Sequence, residues 1–444
     1  MGIKEKKYTR FKYVQKELKK GEMHLGIPYI EEMDNGKARL CANLSINGNM
    51  QVIYFEVDNC WKKYLVTENS DAFILAVLEK AMKNSFDISF EQPVSEELYY
   101  GLVTYTIPIY ARNFEMFNEI NLIGDITLEN PVSECKTGTG FSAGVDSFYT
   151  ILKHMGNKKT PSYNVTHLLL AVNGAAATGV SEEMDREWLE ASREKFQKYA
   201  AAMGLELICA GGNIDLLYLN DTCLGGDAIT TSSFVYALQK LFSTYYWASA
   251  YPANIFSFNQ SDGGFCENVS VSYISTRKLK FYHSGSEINR IGKVKYIADN
   301  PLVQKVLTVC GELDAFNCGC CFKCLRTMSE LYAIKKLELF KDSFPADNYK
   351  KHFISKFAQE LSTDHPPFTT DIINEMKNNR IKIPFIVYLL SFLVYKPLYM
   401  LRSKLKHIVW LRRLFYKFNL DEKILGRKQG SKERERKLNG IYKG

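Results

Sequence analysis

The hydrophobic pattern changes period along the chain. Residues 39–57 and 99–110 are rich in Val, Ile, Tyr and Phe and read as strands, while 72–82 (AFILAVLEKAM) between them has helical spacing. Another strand-like run, 119–128, stops before Pro131. From there strand and helix patterns alternate. A small-residue strand at 135–141 leads into a helix with Phe148, Ile151, Leu152 and Met155 on one face. Residues 165–172 (VTHLLLAV) form an apolar strand, followed by a helix at 181–203 with Ser181 as N-cap and Glu182 and Glu183 in its first turn. A third strand at 205–210, a helix at 232–250 that takes in Tyr245, Tyr246 and Trp247 as core, and a fourth strand at 254–258 complete the series. Near the end, 383–395 (IPFIVYLLSFLVY) is 13 uncharged apolar residues bracketed by Pro384 and Pro397.

Alternation of this kind implies an α/β fold, a Rossmann-like parallel sheet with helices on both faces. Three regions follow: an N-terminal mixed α+β domain at 1–130, the alternating domain at 131–345, and a helical extension at 346–444 that is first apolar and then basic.

Composition adds little except where it is uneven. The 444 residues are 46% hydrophobic and 24% charged, enough for a sizeable core. The net charge of +8 is local: residues 396–444 hold 15 basic and 4 acidic side chains, so the rest of the chain is slightly acidic. Residues 1–20 are basic and polar, with no apolar core of signal-peptide type. Five of the 11 cysteines crowd into 310–324, a metal-site spacing rather than a disulfide framework, which points to the cytoplasm. His24, Cys41 and Cys60 are isolated and read as structural.

Two stretches carry chemistry. The first is Gly140-Phe141-Ser142-Ala143-Gly144-Val145-Asp146-Ser147, a strand, a turn and a helix start. That geometry aims backbone N–H groups and the positive helix end at one point, which suits an anion. Ser142 and Ser147 add hydroxyls, and Asp146 offers a hard carboxylate for Mg²⁺. The second is Cys310-x7-Cys318-x2-Cys321-x2-Cys324, four thiolates able to close a tetrahedron around Zn²⁺, with Cys320 a bystander. Four protein ligands would make that site structural.

The loop resembles the S-G-G-x-D-S PP-loop of the N-type ATP pyrophosphatases, with Ala143 in place of the first glycine. The run Cys318-Gly319-Cys320-Cys321-Phe322-Lys323-Cys324-Leu325-Arg326 is similar to the C-terminal cysteine run of one branch, the QueC (7-cyano-7-deazaguanine synthase) family. Arg290-Ile291-Gly292-Lys293, with the helix at 294–298, resembles that family's lysine-bearing segment. The likeness spans roughly 135–330, and residues 1–130 and the tail have no counterpart in it. It implies a PP-loop (HUP-type, adenine nucleotide alpha hydrolase-like) fold and an ATP-dependent reaction. A substrate carboxylate or carbonyl oxygen is adenylated, pyrophosphate leaves, and ammonia or another nucleophile displaces AMP.

By this resemblance Ser142, Ala143, Gly144, Val145, Asp146 and Ser147 hold the phosphates with Mg²⁺, and Asn173 contacts the nucleoside. Asp146 and Ser147 act in catalysis, with Lys293 and Arg290 as the cations that meet the leaving group. The alternative for those two is a solvated helix face beside Lys295. Asp262 and Glu267 are candidates for a substrate amine or a metal, and His283 for a base above the loop. The partner implied is a small molecule, with a homodimer open. For the tail three readings stand: a helix packed on the body, a peripheral membrane contact, or RNA binding as in a tRNA-modifying enzyme. A nucleotide-binding module without catalysis is the rival to all enzymatic readings.

Overall fold

The computed structural model describes residues 21–129, 131–171, 182–214, 217, 228–260, 262–310, 317–362 and 366–405. Eleven strands make one sheet: β1 (Glu22–Leu25), β2 (Tyr29–Met33), β3 (Lys37–Ile46), β4 (Asn49–Asp58), β5 (Asp87–Phe90), β6 (Leu122–Ile123), β7 (Lys136–Gly140), β8 (His167–Ala171), β9 (Glu206–Gly212), β10 (Phe242–Ala248) and β11 (Lys280–Ser284). Their order is β11-β10-β7-β8-β9-β4-β3-β1-β5-β6, with β2 on β3. The five strands from β11 to β9 are parallel, as the alternating pattern implies.

The sheet does not stop at residue 130. β9 pairs antiparallel with β4, matching Ala210 to Val57 and Gly212 to Phe55. β3 and β4 form a hairpin closed by Asn47-Gly48, both at positive φ (50° and 84°). This Asn-Gly pair is the turn whose twist matches that of the strands, and only residues tolerant of left-handed backbone fit it. Alternation along each central strand then divides the core. Leu169, Ile208 and Tyr245 face one cluster shared with the first hundred residues, and Leu168, Leu170, Cys209 and Tyr246 face the other. Helices Asp71–Asn84, Ala228–Ala237 and Glu267–Tyr273 contribute to the first cluster. Val145–Lys153, Glu182–Ala202, Arg290–Ile297 and Phe322–Ala333 contribute to the second.

Three expectations fail. Residues 99–110 are helical (Glu96–Gly101, a π-turn at Leu102–Thr106, then Ile107–Asn113), not a strand. Leu98, Leu102, Thr106 and Tyr110 are all buried at every fourth position, so packing of one helical face overrides the β-propensity of VTYTIPIY. Residues 232–250 split into the end of a helix and strand β10, because FSTYYWA buries Tyr245 and Tyr246 on opposite sides, which only a strand does. The 254–258 strand is absent, replaced by a short 3₁₀ turn at Ala253–Ile255, and the sheet's edge is β11, from a segment to which the sequence pattern assigns no element. Among the described residues no helix is long and apolar enough to cross a membrane.

Phe55 and Phe234 join the two sequence halves, edge to face with centroids 5.0 Å apart. Replacing Phe234, 1% exposed, by alanine should cost about 3–5 kcal/mol. Because the core is shared, denaturation followed by tryptophan fluorescence and by far-UV circular dichroism should still give one coincident transition. Two separated transitions would mean that the halves fold independently.

Candidate functional site

The chain leaves β7, builds β8 and β9 on one side, then returns past β7 to add β10 and β11 on the other. In doubly wound sheets such a reversal marks the crevice where ligands bind, at the carboxyl ends of the two strands it separates, here β7 and β10. The loop from Phe141 to Gly144 lies there, and Gly144 is the N-cap of helix Val145–Lys153. The first-turn N–H groups of that helix have no intrahelical acceptor. Ser142 is exposed, its Oγ 3.5 Å from that of Ser147 and 3.4 Å from the Gly144 nitrogen. The Ser147 hydroxyl donates to the Gly144 carbonyl at 3.1 Å.

Ala143 has φ 54°, so the position that carries glycine in the resembled motif does demand left-handed backbone. Alanine there costs on the order of 1 kcal/mol. Its methyl is fully buried in the second core cluster, and its carbonyl accepts from the Thr308 N–H at 2.9 Å. Both contacts hold the strained residue in place.

Asp146 is the centre of a charge cluster. Lys293 Nζ lies 2.9 Å from one carboxylate oxygen and Arg290 Nη1 3.0 Å from the other. The Lys293 side chain, 1% exposed, also donates to the Ser249 carbonyl at the end of β10. A glycine makes room for it: a Cβ on Gly285 (φ 90°) would sit 3.2 Å from the ammonium nitrogen. Arg290 continues to Glu330, Nε to Oε1 at 3.2 Å, and to the Thr327 hydroxyl at 3.4 Å. Arg326 approaches Glu360 at 3.6 Å and lies over the Phe368 ring at 4.1 Å.

Burial alone would raise the Asp146 carboxyl, but Lys293 and Arg290 outweigh it and hold it below the usual carboxylate range. Burial wins at Glu330, which is pushed up despite Arg290 and Arg326, and at Glu360, pushed up to about 7 despite Arg326. Three cations, Lys293, Arg290 and Arg326, thus share one cluster with three carboxylates, Asp146, Glu330 and Glu360, and the two nearest the loop, Lys293 and Arg290, converge on Asp146.

The four cysteines converge. Cys310 and Cys321 sulfurs are 3.8 Å apart, those of Cys318 and Cys324 3.9 Å, and all four lie within 4.8 Å of one another. A tetrahedral ion with bonds of about 2.3 Å needs sulfur–sulfur edges of about 3.8 Å, so the cluster could hold a metal ion such as zinc. Cys320 is buried outside the set. The segment is tied to the crevice from behind. Asn317 donates to the Leu307 and Ser343 carbonyls, both at 2.8 Å, and accepts from the Val309 and Cys310 N–H groups. Cys321 caps helix Phe322–Ala333, which carries Arg326, Thr327 and Glu330.

Other candidates fall elsewhere. Lys293, buried, and Arg290, partly buried, both face Asp146, and it is Lys295 that takes the surface position, paired with Glu375 at 2.7 Å. Glu267 is buried, accepting from the Ala250 N–H and facing His283 Nε2, both at 3.1 Å. His283 thus points away from the face of helix Val145–Lys153, which β11 meets through Ser284 and His154 (3.0 Å). Asp262 accepts from the Tyr251 hydroxyl at 2.8 Å and from the Gly264 N–H at 2.9 Å, forming a turn apart from Glu267 rather than a pair with it. Asn173 lies outside the described residues. Thr327 and Glu330 escape sequence reasoning, although polar residues among Leu325, Met328 and Leu331 on a short helix were a signal of a buried network.

Compared with known protein families, characterised proteins and solved structures, the chain matches none.

Two measurements follow. Cys321→Ser should lower bound zinc, measured by elemental analysis, together with the melting temperature; full zinc with unchanged stability would remove the metal from the fold's support. Glu360, fully buried, is protonated in the folded state up to pH about 7 but ionises near 4.5 when unfolded, so stability falls as pH rises between those values. Relative to Glu360→Gln, the native protein should lose up to about 3 kcal/mol between pH 5 and 8 in guanidinium titrations. Parallel curves would refute the assignment.

Proposed function

We propose that this chain is an ATP pyrophosphatase of the PP-loop kind, which adenylates a small carboxylate or carbonyl compound and releases pyrophosphate. The observation that carries the reading is the pair of cations, the buried Lys293 and the partly buried Arg290, focused on Asp146 at the start of a helix at the carboxyl end of the sheet. In this reading the α-, β- and γ-phosphates lie against the first-turn N–H groups and the Ser142 and Ser147 hydroxyls. Lys293 and Arg290 stabilise the charge that develops on the leaving pyrophosphate, while the fixed loop aligns the α-phosphate with the attacking oxygen. Ammonia or another nucleophile then displaces AMP.

Both oxygens of Asp146 already accept from cations, so Asp146 does not by itself form a magnesium site; magnesium enters with the phosphates it neutralises. Zinc at Cys310, Cys318, Cys321 and Cys324 would be structural, with no position left for substrate. The commitment of Asp146 to two cations also favours a second reading, a module that binds nucleotide without cleaving it.

Ser142 is the better probe, because removing Asp146 would strand Lys293 as a buried unpaired charge. With ATP, magnesium and a small-molecule extract, the protein should form AMP and pyrophosphate only when the extract is complete. Ser142→Ala should lower kcat/KM for ATP by roughly 10- to 100-fold with an unchanged melting temperature. ATP bound but never cleaved would favour the second reading, and failure to bind ATP would end both.

A further inference from the structure

The last described helix carries a surface that the fold leaves bare. It runs through Phe385–Leu390, a π-turn at Ser391–Tyr395, and Lys396–Leu405. The wide π-turn absorbs Pro397, which therefore does not end the helix as the sequence suggests. Val387 and Ser391 are buried, and Val387 joins a cluster with Phe357, Ala358 and Ile291, so one side packs on the body. The other sides expose Phe385 (79%), Phe392 (69%), Leu393 (59%), Met400 (55%) and Leu401 (51%). Isolated exposed apolar residues are ordinary, but a contiguous set of this size on one helix marks an interaction surface.

Charge selects the partner. Exposed Lys377, Arg380 and Lys382 precede the apolar run. From Lys396 to Leu420 the sequence holds seven Lys and Arg residues and no Asp or Glu. Two copies of the chain meeting at this face would bring two wholly basic flanks together, which opposes self-association. A nucleic acid would meet the cations but leave Leu393, Met400 and Leu401 in water. A membrane surface with anionic headgroups satisfies both features. The apolar run of 13 residues reaches only about 20 Å as a helix, against about 30 Å of hydrocarbon, so it suits the interface and not a span.

We propose that the helix at 385–405 and its basic flanks dock this protein on an anionic membrane surface, with Phe385, Phe392, Leu393 and Met400 in the headgroup boundary. Ile291, which shares an apolar cluster with Val387, belongs to the helix that holds Arg290 and Lys293, so one small core links the docked element to that helix.

The test is co-sedimentation of the full chain with phosphatidylcholine vesicles and with vesicles containing about a third phosphatidylserine. Partitioning should be at least about tenfold stronger on the anionic vesicles and should fall by a similar factor at high salt. Phe392→Asp with Leu393→Asp should lower it at least about tenfold with an unchanged circular dichroism spectrum. Neutralising Arg402 and Lys404 to Gln should weaken only the anionic preference. Equal partitioning on both vesicles, or none, would overturn the proposal. So would a double aspartate variant that binds as the native chain does, a dimer in sedimentation velocity that the variant disperses without vesicle binding, or retention on RNA alone.

Discussion

Everything near the crevice depends on keeping Asp146, Lys293, Arg290 and Glu330 together and largely out of water. Transferring each such ion from water costs several kcal/mol, and only close pairing returns that energy. The members come from three segments far apart in sequence: the helix after β7, the helix after β11, and the helix that Cys321 caps. None can move alone without leaving a buried charge unpaired. The cluster therefore fixes the relative positions of three helices as firmly as the apolar core behind them. Burial opposes ionisation of Glu330, while Lys293 and Arg290 hold Asp146 charged at the start of the helix that follows the loop.

The cysteine segment supports that arrangement from behind. Thr308 clamps the carbonyl of Ala143, the residue held in left-handed backbone, and Asn317 ties the cysteine loop to the chain on both sides of it. Cys321 then starts the helix that delivers Thr327 and Glu330 to Arg290. Four convergent thiols are thus one hydrogen bond from the loop at 141–144 and one helical turn from its charge cluster. A metal there would stabilise the site's geometry without taking part in its chemistry.

The N-terminal strands solve a different problem. β9 would otherwise be an open edge beside the crevice; β4 pairs with it antiparallel, and Phe55 reaches Phe234 through the shared core. The strands β8, β9 and β10 place residues in both apolar clusters, so their sequences alternate between two cores instead of between core and water.

The sequence alone determined what depends on neighbours along the chain. The strand–turn–helix at 140–147, the convergent cysteine spacing and the β-α alternation from 131 as far as β9 are local patterns, and each folds as its spacing implies. It also located the lysine and arginine at 293 and 290, though not their burial. Tertiary structure decided the rest, because the deciding contacts lie far away in sequence. Residues 99–110 became helical because one face at every fourth residue found a core, and 242–248 became a strand because two adjacent tyrosines needed opposite sides of a sheet. Whether Lys293 faced water or Asp146, and whether His283 reached the loop or Glu267, depended on the sheet order and the side of β11 that each presents. No local pattern encodes that, since a period of two fixes which residues share a face but not which partner covers it.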